Sequence, residues 1–173
     1  MYATHFPKKR YKNTLEFLKR HIAPSETILD LGVENPFSEL LKTEGYSVSN
    51  TSGEDLDVNT SGLETDTSDV VTAFEIFEHL LSPFTVLKNI KSKKLVASIP
   101  LRLWFASAYR SKTDMRDRHF HEFESWQFDW LLEKTGWKII ASEKWTNPTK
   151  KIGFRPLLRL FTPRYYIVYA ERI

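Results

Sequence analysis

The stretch Glu26-Thr-Ile-Leu-Asp-Leu-Gly-Val-Glu-Asn-Pro36 decides the predicted fold. Its apolar run, residues 27–31, is typical of a buried parallel strand. Asp30 interrupts the run at the carboxyl end, the edge where an open α/β sheet holds its ligand. Gly32 then permits a tight turn, and Asn35-Pro36 indicates the N-cap and first residue of a helix. Together these features predict a nucleotide-binding crevice, with an ordinary βα turn as an equal alternative.

The composition indicates one globular domain of ordinary character. The chain has 173 residues, of which 41% are hydrophobic and 27% are charged, and this length allows a sizeable core. The absence of cysteine excludes disulfides, thiolate metal ligands and a cysteine nucleophile, and it fits a reducing compartment. No apolar run is long enough to span a membrane, and the basic, aromatic N-terminal stretch lacks the core of a signal peptide. We therefore expect a cytoplasmic protein.

Helical and strand patterns alternate along the chain after a first helix at Tyr11–Ile22. Besides residues 27–31, the expected strands are Tyr46–Asn50, Asp55–Val58, Asp69–Phe74, Lys94–Ile99, Trp137–Trp145 and Tyr165–Ala170. The expected later helices cover residues 36–41, Phe84–Ile90 and Phe123–Lys134, and a loop with a short helix is expected at Leu101–Lys112. This alternation predicts an α/β fold: a Rossmann-like, doubly wound, mostly parallel sheet of seven or six strands with one antiparallel strand near the C-terminus. One irregularity is that the second and third strands are too close for a crossover helix.

A second motif, Asp69-Val-Val-Thr-Ala-Phe-Glu-Ile-Phe-Glu-His-Leu80, contains a later strand and the turn after it. Together with Ile28-Leu-Asp-Leu-Gly32, it resembles the class I S-adenosylmethionine-dependent methyltransferases. Within that class it is similar to the small-molecule branch that carries Glu-x-x-Glu-His-Leu after the fourth strand, as ubiquinone-biosynthesis-type O-methyltransferases do. The resemblance covers about Tyr11 to Glu143 and implies S-adenosylmethionine as the cofactor. It also implies that residues 1–173 form a single methyltransferase-like domain.

On the methionine side of the cofactor, the resemblance implies roles for residues of both motifs. Asp30 matches the acid near the methionine moiety, and Gly32 matches the first glycine of the cofactor turn. Phe74 and Glu75 match residues that line the methionine side. The pair Glu78-His79 matches residues beneath the methyl-transfer pocket.

On the adenosine side, the resemblance implies two further contacts. Asn50 falls where the family usually places Asp or Glu on the ribose hydroxyls, and an amide can also hydrogen-bond a diol. Asp57 matches the aspartate that reaches the adenine amino group. The turn departs from the family's Gly-x-Gly-x-Gly because Val33, Glu34 and Asn35 follow the first glycine. Their side chains narrow the approach to the cofactor, and the Glu34 carboxylate could repel the cofactor's carboxylate or pair with its ammonium.

Three histidines are candidates for a general base that deprotonates the methyl acceptor: His79, His119 and His121. A neutral imidazole suits this role near pH 7, and we favour His79 or His119 as the catalytic residue. The alternatives are a structural hydrogen bond for His79 and a capping or surface role for the other two. No histidine–carboxylate cluster has convincing ligand spacing in the sequence, so no metal site is predicted.

The loop after the Lys94–Ile99 strand offers candidate substrate contacts. Its cationic candidates for clamping an acidic group are Arg102, Arg116 and Arg118, with a solvated loop as the alternative. Its aromatic candidates for a lid are Trp104, Phe105 and Tyr109, with ordinary packing as the alternative.

The segment Lys144–Arg164 is basic and apolar and contains no acidic residue. We expect its central part, about residues 146–163, to be an insertion between the last two strands, in which Pro156 and Pro163 limit any helix. Such a segment could rest on an anionic membrane or grip a phosphorylated or lipid-like substrate. It could also follow a nucleic-acid backbone, although the net charge of +3 gives no strong nucleic-acid signal. A packed, solvated insertion is the plainer alternative.

Two functions from different classes follow from these patterns. The first is an enzyme that transfers a methyl group from S-adenosylmethionine to an oxygen or nitrogen of a small or lipid-linked acceptor. The second is a degenerate methyltransferase-like binding module without turnover, which contacts a membrane or a polyanion through Lys144–Arg164. A nicotinamide-dependent Rossmann protein is disfavoured because Gly-x-Gly-x-x-Gly is absent at Gly32.

Overall fold

A computed structural model describes residues 8–148 and 152–173. The described residues form one six-stranded sheet with the order β2-β1-β3-β4-β6-β5. The strands are β1 (Thr27–Asp30), β2 (Ser47–Asn50), β3 (Val70–Phe74), β4 (Lys94–Pro100), β5 (Trp137–Thr146) and β6 (Pro163–Arg172). The α-helices are α1 (Lys8–His21), α2 (Pro36–Thr43), α3 (Ser61–Thr65), α4 (Pro83–Asn89), α5 (Ser125–Lys134) and α6 (Phe154–Phe161).

The sheet is doubly wound and mostly parallel, as the sequence predicts. The strands β1 to β4 pair in parallel, and β6 lies antiparallel between β4 and β5. Every residue of β3 except Phe74 is buried, which fits a central strand covered on both faces. Side chains from α1 and α2 pack on one face of the sheet, and side chains from α3, α4 and α5 pack on the other. The two cores therefore make a three-layer α/β/α domain.

The predicted strand Asp55–Val58 is wrong, and so is the seven-strand count that included it. Residues 56–58 form a turn in which the Leu56 side chain is buried in the core, while Asp57 accepts hydrogen bonds from distant backbone N–H groups. The connection from β2 to β3 therefore runs over residues 51–69 and contains the short helix α3. This length removes the irregularity seen in the sequence, because the crossover between parallel strands has the room that it needs.

The short helix predicted within Leu101–Lys112 is also absent, since these residues form turns, bends and irregular loop. The segment is tied down instead by isolated bridges, Leu101 to Phe123 and Arg110 to Arg118. Its apolar residues do not share one environment: Leu103 is buried, whereas Trp104 is exposed. The loop therefore folds back beside the turn that follows β3, where Phe120 N–H donates to the Glu78 carbonyl.

The segment between β5 and β6 contains a helix, α6, despite its prolines. Pro156 lies in the first turn of α6, where a backbone N–H has no partner within the helix, so its missing donor costs little. Lys150 and Lys151, part of the basic segment of the sequence, lie outside the described residues. Among residues 8–148 and 152–173, no helix has the length and apolar character needed to cross a lipid bilayer.

Candidate functional site

A cavity of about 190 Å³ lies at the carboxyl ends of β1 and β3. Its floor is the turn after β1, residues 30–33, and its side is the turn after β3, residues 74–76. The helix α1 contributes Arg10, Tyr11 and Thr14, and α2 contributes its N-cap and Phe37. This is the crevice at which open α/β sheets bind ligands, although its volume is below the 300–1,000 Å³ or so that is typical of ligand pockets.

Asp30 holds the two strands and α2 together at the cavity floor. The residue is 2% exposed, and its carboxylate accepts hydrogen bonds from Thr72 Oγ1 at 2.7 Å and Ser38 Oγ at 3.0 Å. The side-chain amides of Asn35 and Asn50 donate to the same carboxylate at 3.3 and 3.2 Å. Burial raises the pKa of Asp30, and these four bonds oppose the rise because they favour the charged form. The structure thus shows an organising role for a residue that the sequence predicts to contact the cofactor.

The turn after Asp30 is built on Gly32, whose φ of +103° is one that residues with a side chain rarely adopt. Its N–H donates to Thr51 Oγ1 at 2.7 Å, which links this turn to the loop after β2. Of the next two side chains, Val33 lines the cavity and packs against Gly53. Glu34 instead forms an exposed ion pair with Lys42 and does not line the cavity.

Asn35 confirms the predicted N-cap of α2. Its Oδ1 accepts hydrogen bonds from the backbone N–H groups of Phe37 and Ser38, at 2.9 and 3.2 Å, and this satisfies two of the free donors of the first turn. The oxygen of the Asn35 amide therefore caps α2, and its nitrogen donates a hydrogen bond to Asp30.

The residues predicted to contact adenosine have structural partners. The Asn50 amide nitrogen lies within hydrogen-bond distance of Asp30, Ser38 and the Gly32 carbonyl, so its oxygen is the atom left for a ligand hydroxyl. Asp57 accepts from the backbone N–H groups of Leu81 and Ser82, both at 2.8 Å. Each carboxylate oxygen can accept a second hydrogen bond, and the contact of Asp57 with adenine stays a prediction.

Phe74 and Glu75 line the side of the cavity formed by the end of β3, and their contact with the methionine part of a cofactor stays a prediction. Glu75 has φ +59°, the one positive value at a non-glycine residue of the described chain, and its N–H donates to the Ser98 carbonyl. Its carboxylate accepts from Ser98 Oγ at 3.0 Å and pairs with Arg10 at 3.5 Å. Burial raises the pKa of Glu75, and the positive charge of Arg10 opposes that rise. An ion pair therefore lines the cavity.

A second group of titratable side chains follows directly along the chain. The side chain of Glu78 is 1% exposed, and its Oε1 lies 3.7 Å from His79 Nε2. Burial, and next the negative charge of Glu75, raise the pKa of Glu78 well above its usual value. The rings of His79 and His119 meet edge to face with centroids 5.0 Å apart. The structure therefore brings together the two favoured histidines, which are 40 positions apart in the sequence.

These histidines join a carboxylate in a cluster of three, where the sequence predicts no metal site. Glu78, His79 and His119 each offer one ligand atom, and the three atoms lie within 4.8 Å of one another. Burial lowers the pKa of His79 and keeps its imidazole neutral near pH 7. The cluster adjoins the cavity through Glu75, which lines the cavity and interacts electrostatically with Glu78 and His119.

Comparison with solved structures assigns the fold. A 1,6-didemethyltoxoflavin-N1-methyltransferase from Burkholderia thailandensis, solved with its substrate and S-adenosylhomocysteine, superposes with a TM-score of 0.66 over 96% of this chain and 79% of its own, at 14% identity. An S-adenosylmethionine-dependent methyltransferase from Archaeoglobus fulgidus gives a TM-score of 0.63 over 94% of both chains, at 19% identity. The chain has the fold of S-adenosylmethionine-dependent methyltransferases.

The methyltransferase fold by itself leaves the reaction open. The [4+2]-cyclase SpnF shares it with this chain, with a TM-score of 0.59 over 98% of this chain and 84% of its own at 11% identity. No protein-family model matches the chain, and no curated protein matches it in sequence. The activity must therefore be inferred from the residues of the site.

In this methyltransferase fold, the cationic candidates of the loop after β4 take three different positions. Arg102 is exposed and pairs with Glu124 at 3.4 Å. Arg116 is exposed as well. The Arg118 carbonyl contacts His79 Nδ1, and the Nε atom of Arg118 is buried with no hydrogen-bond partner among the described residues. Substrate clamping by these arginines stays a prediction.

The aromatic candidates of the same loop also differ. Trp104 is 68% exposed and meets Phe105 edge to face. Tyr109 is closer to the histidines, because its ring centroid lies 5.1 Å from that of His119 while its hydroxyl donates to Asp117 at 2.8 Å. His121 contacts the Leu81 carbonyl at 3.4 Å, which places it outside the cluster of three.

The contribution of α1 to the cavity was not predicted from the sequence. Arg10 pairs with Glu75 across the cavity wall, and Thr14 is buried beside it. The available signal was a polar residue, Thr14, on the apolar face of a predicted helix. Thr14 could indicate that this face of the helix lies beside a cavity. It could not predict which carboxylate pairs with Arg10.

Proposed function

We propose that this protein transfers a methyl group from S-adenosylmethionine to an oxygen or nitrogen of a small or lipid-linked acceptor. We also propose that it belongs to the small-molecule branch with the Glu-x-x-Glu-His-Leu motif, on the basis of Glu75, Glu78, His79 and Leu80 directly after β3. One observation carries the proposal: a methyltransferase fold has an amphipathic cavity at the carboxyl ends of β1 and β3, with an ion pair in its wall.

The ion pair suits the amino-acid end of the cofactor. A methionyl group carries a carboxylate and an ammonium, and the cavity presents a guanidinium, Arg10, and a carboxylate, Glu75, 3.5 Å apart. Each charge of the ligand thus has a partner of opposite sign, and pairs with good hydrogen-bond geometry are among the stronger polar contacts. Ser98 holds the Glu75 carboxylate in place.

The adenosine end would lie over the turn at Gly32, between the loops after β1 and β2. Val33 narrows this path because it packs against Gly53. Its side chain is exposed, so a change of rotamer can open the path without disturbing the core. The Asn50 oxygen and the Asp57 carboxylate are the polar atoms that we expect to meet the ribose and the adenine.

Methyl transfer from S-adenosylmethionine requires no covalent bond between the substrate and a protein side chain. When bound, S-adenosylmethionine supplies an electrophilic methyl group, and the enzyme contributes mainly positioning and a dry pocket. His79 and His119 are the groups that we expect to accept the acceptor's proton. A neutral His79, held by the Arg118 carbonyl on its Nδ1, has the lone pair of Nε2 available for this step.

Calorimetric titration with S-adenosylhomocysteine tests the proposal. We expect one binding site of micromolar affinity. At a ligand concentration of 100 times Kd, binding should raise the free energy of unfolding by about 2.7 kcal/mol, which thermal unfolding can detect. A chain that shows neither heat of binding nor a raised Tm at millimolar S-adenosylhomocysteine or S-adenosylmethionine would contradict it.

A second candidate function is supported by α6: a methyltransferase-like binding module without turnover that contacts an anionic membrane. None of the eight residues of α6 is buried. Phe154, Leu157, Leu158 and Phe161 recur at the spacing of one helical face, with Arg155 and Arg159 outside that row. An exposed apolar face on a helix with cations and no acid is typical of helices that lie in a membrane interface. The same surface would serve an enzyme with a lipid-linked acceptor.

Vesicle binding tests the role of α6. We expect the protein to bind vesicles containing phosphatidylserine, more weakly as salt rises, and to bind pure phosphatidylcholine vesicles less. The double variant Leu157→Glu/Phe161→Glu should lower vesicle affinity at least tenfold, since it places charges on the apolar face. Val58→Glu is the control, because Val58 is also an exposed apolar residue but lies in the turn after β2. Unchanged binding of the double variant, or a preference for RNA over vesicles, would refute the membrane contact.

A further inference from the structure

We propose that Arg110 and Arg118 form a binding site for a phosphoryl group. Both belong to a short hairpin, residues 109–119, in the loop after β4, where an isolated antiparallel bridge joins them. The site is separate from the cavity at β1 and β3, because neither arginine lines that cavity. The inference concerns anion binding, and it stands whether or not the protein transfers methyl groups.

The hydrogen bonds of the hairpin place the two arginine side chains side by side. The backbone N–H groups of Ser111 and His119 donate to carbonyls of the opposite arm, at 2.9 and 3.1 Å. These two bonds lie on either side of Arg110 and Arg118, which are therefore a non-hydrogen-bonded antiparallel pair. In such a pair the Cα atoms are only about 4.5 Å apart, and both side chains leave the same face.

Two like charges directly opposite each other destabilise the pairing of the two arms unless an anion offsets them. The described chain does not supply that anion, because neither guanidinium forms an ion pair or a hydrogen bond with residues 8–148 or 152–173. The remaining residues, 1–7 and 149–151, include no Asp or Glu. We therefore infer that the counter-ion comes from a ligand.

The Arg118 side chain provides the second, independent observation. Its Nε atom is buried and has no hydrogen-bond partner among the described residues. A buried donor on a charged group is costly when it is left unpaired. An oxygen of a bound anion would satisfy it, and the planar guanidinium can donate to two oxygens of the same ligand.

The charge of the site favours a phosphoryl group over a carboxylate. Two guanidiniums carry two positive charges, and a phosphomonoester carries about 1.5 to 2 negative charges at pH 7, whereas a carboxylate carries one. The tip of the hairpin adds two exposed cations, Lys112 and Arg116. The two aspartates of the hairpin, Asp114 and Asp117, already accept hydrogen bonds from within it.

The position of the site indicates which molecule carries the phosphoryl group. His79 Nδ1 donates to the Arg118 carbonyl at 2.9 Å, and the ring of the next residue, His119, meets the His79 ring. A methyl acceptor whose phosphoryl group binds Arg118 would therefore lie beside the two candidate bases. This assignment of a phosphorylated acceptor rests on the proposed function, whereas the anion site does not.

Phosphate binding is tested on the full chain without any cofactor, by calorimetric titration with inorganic phosphate at constant ionic strength. We expect one site, for which sulfate competes and chloride does not. Arg110→Gln and Arg118→Gln should each lower the affinity at least tenfold. Arg118→Lys should also lower it, because lysine keeps the charge but loses the planar fork.

The control is Arg102→Gln, because Arg102 belongs to the same loop but already pairs with Glu124. This variant removes the same charge and should bind phosphate like the unaltered protein. Equal losses in Arg102→Gln and Arg110→Gln, or no saturable binding of phosphate, would overturn the proposal. Thermal unfolding shows whether each variant folds.

Competition experiments then identify the source of the phosphoryl group. Displacement of phosphate by phenyl phosphate supports a small phosphorylated acceptor, and displacement only by vesicles containing phosphatidic acid supports a lipid headgroup. Displacement by neither would overturn the assignment to an acceptor. The Arg110→Gln and Arg118→Gln variants should bind S-adenosylhomocysteine like the unaltered protein, since neither arginine lines the cavity. Phosphate binding without S-adenosylhomocysteine binding in the unaltered protein would refute the proposed function and leave the anion site standing.

Discussion

Replacing Asp30 by alanine should lower the free energy of unfolding by about 3 kcal/mol or more. The carboxylate is buried and accepts from Thr72, Ser38, Asn35 and Asn50. Removing it leaves these donors without their acceptor, and each buried donor left unsatisfied costs about 1–3 kcal/mol. Denaturant unfolding measures the loss directly.

The control for this variant is Asp69→Ala. Asp69 accepts two hydrogen bonds from Thr27 and so also links β1 to the start of β3, at the opposite end of the strands. Asp69 is exposed to solvent, so water can accept the Thr27 hydrogen bonds when its carboxylate is removed. A loss in Asp69→Ala as large as that in Asp30→Ala would show that burial of the network is not what makes Asp30 important.

The pH dependence of stability has a definite sign at Asp30. Burial raises the pKa of Asp30 in the folded protein above its ordinary value of 3.8, so the folded state holds this proton more tightly than the unfolded state does. Its contribution to stability is therefore largest at low pH and falls as the pH rises through the folded pKa. Compared with Asp30→Asn, the unaltered protein should lose stability as the pH is raised from about 4.

The sequence was sufficient to predict most of the strands and helices because apolar periodicity and turn residues depend directly on local structure. The run before Gly32 predicted β1, and Asn35-Pro36 predicted the start of α2, where the structure places both. The strand prediction failed at Asp55–Val58. Leu56 alternates with polar neighbours, as in a strand, but its buried side chain anchors a turn. Alternation over four residues cannot separate these cases.

The candidate site was predictable only in part because contacts between distant segments leave no local pattern. His79 and His119 were each singled out as candidate bases, but their approach depends on how the loop after β4 folds back. The same holds for the ion pair between Arg10 and Glu75, which joins α1 to the turn after β3. Sequence similarity suggested that Asp30 contacts a cofactor, whereas its four hydrogen bonds within the fold required coordinates.

Gly32→Val should abolish measurable binding of S-adenosylhomocysteine. The added Cβ has room, because the nearest side-chain atom, of Ile76, lies 3.7 Å away. The strain comes instead from the backbone, because valine rarely adopts a φ of +103°. The backbone must therefore move to relieve the strain. Movement would break the bond from Gly32 N–H to Thr51 and change the floor of the cavity.

Gly45→Val separates this effect from a general loss of stability. Gly45 has φ +92°, similar to that of Gly32, and has no atom within 4 Å of an added Cβ, but it follows α2 away from the cavity. Both variants should lose stability by about 1–3 kcal/mol through backbone strain, and only Gly32→Val should lose the ligand. Calorimetry at a temperature where both variants are folded makes the comparison. If Gly32→Val binds S-adenosylhomocysteine as Gly45→Val does, the ligand is held elsewhere, and the crevice between β1 and β3 is not the cofactor site.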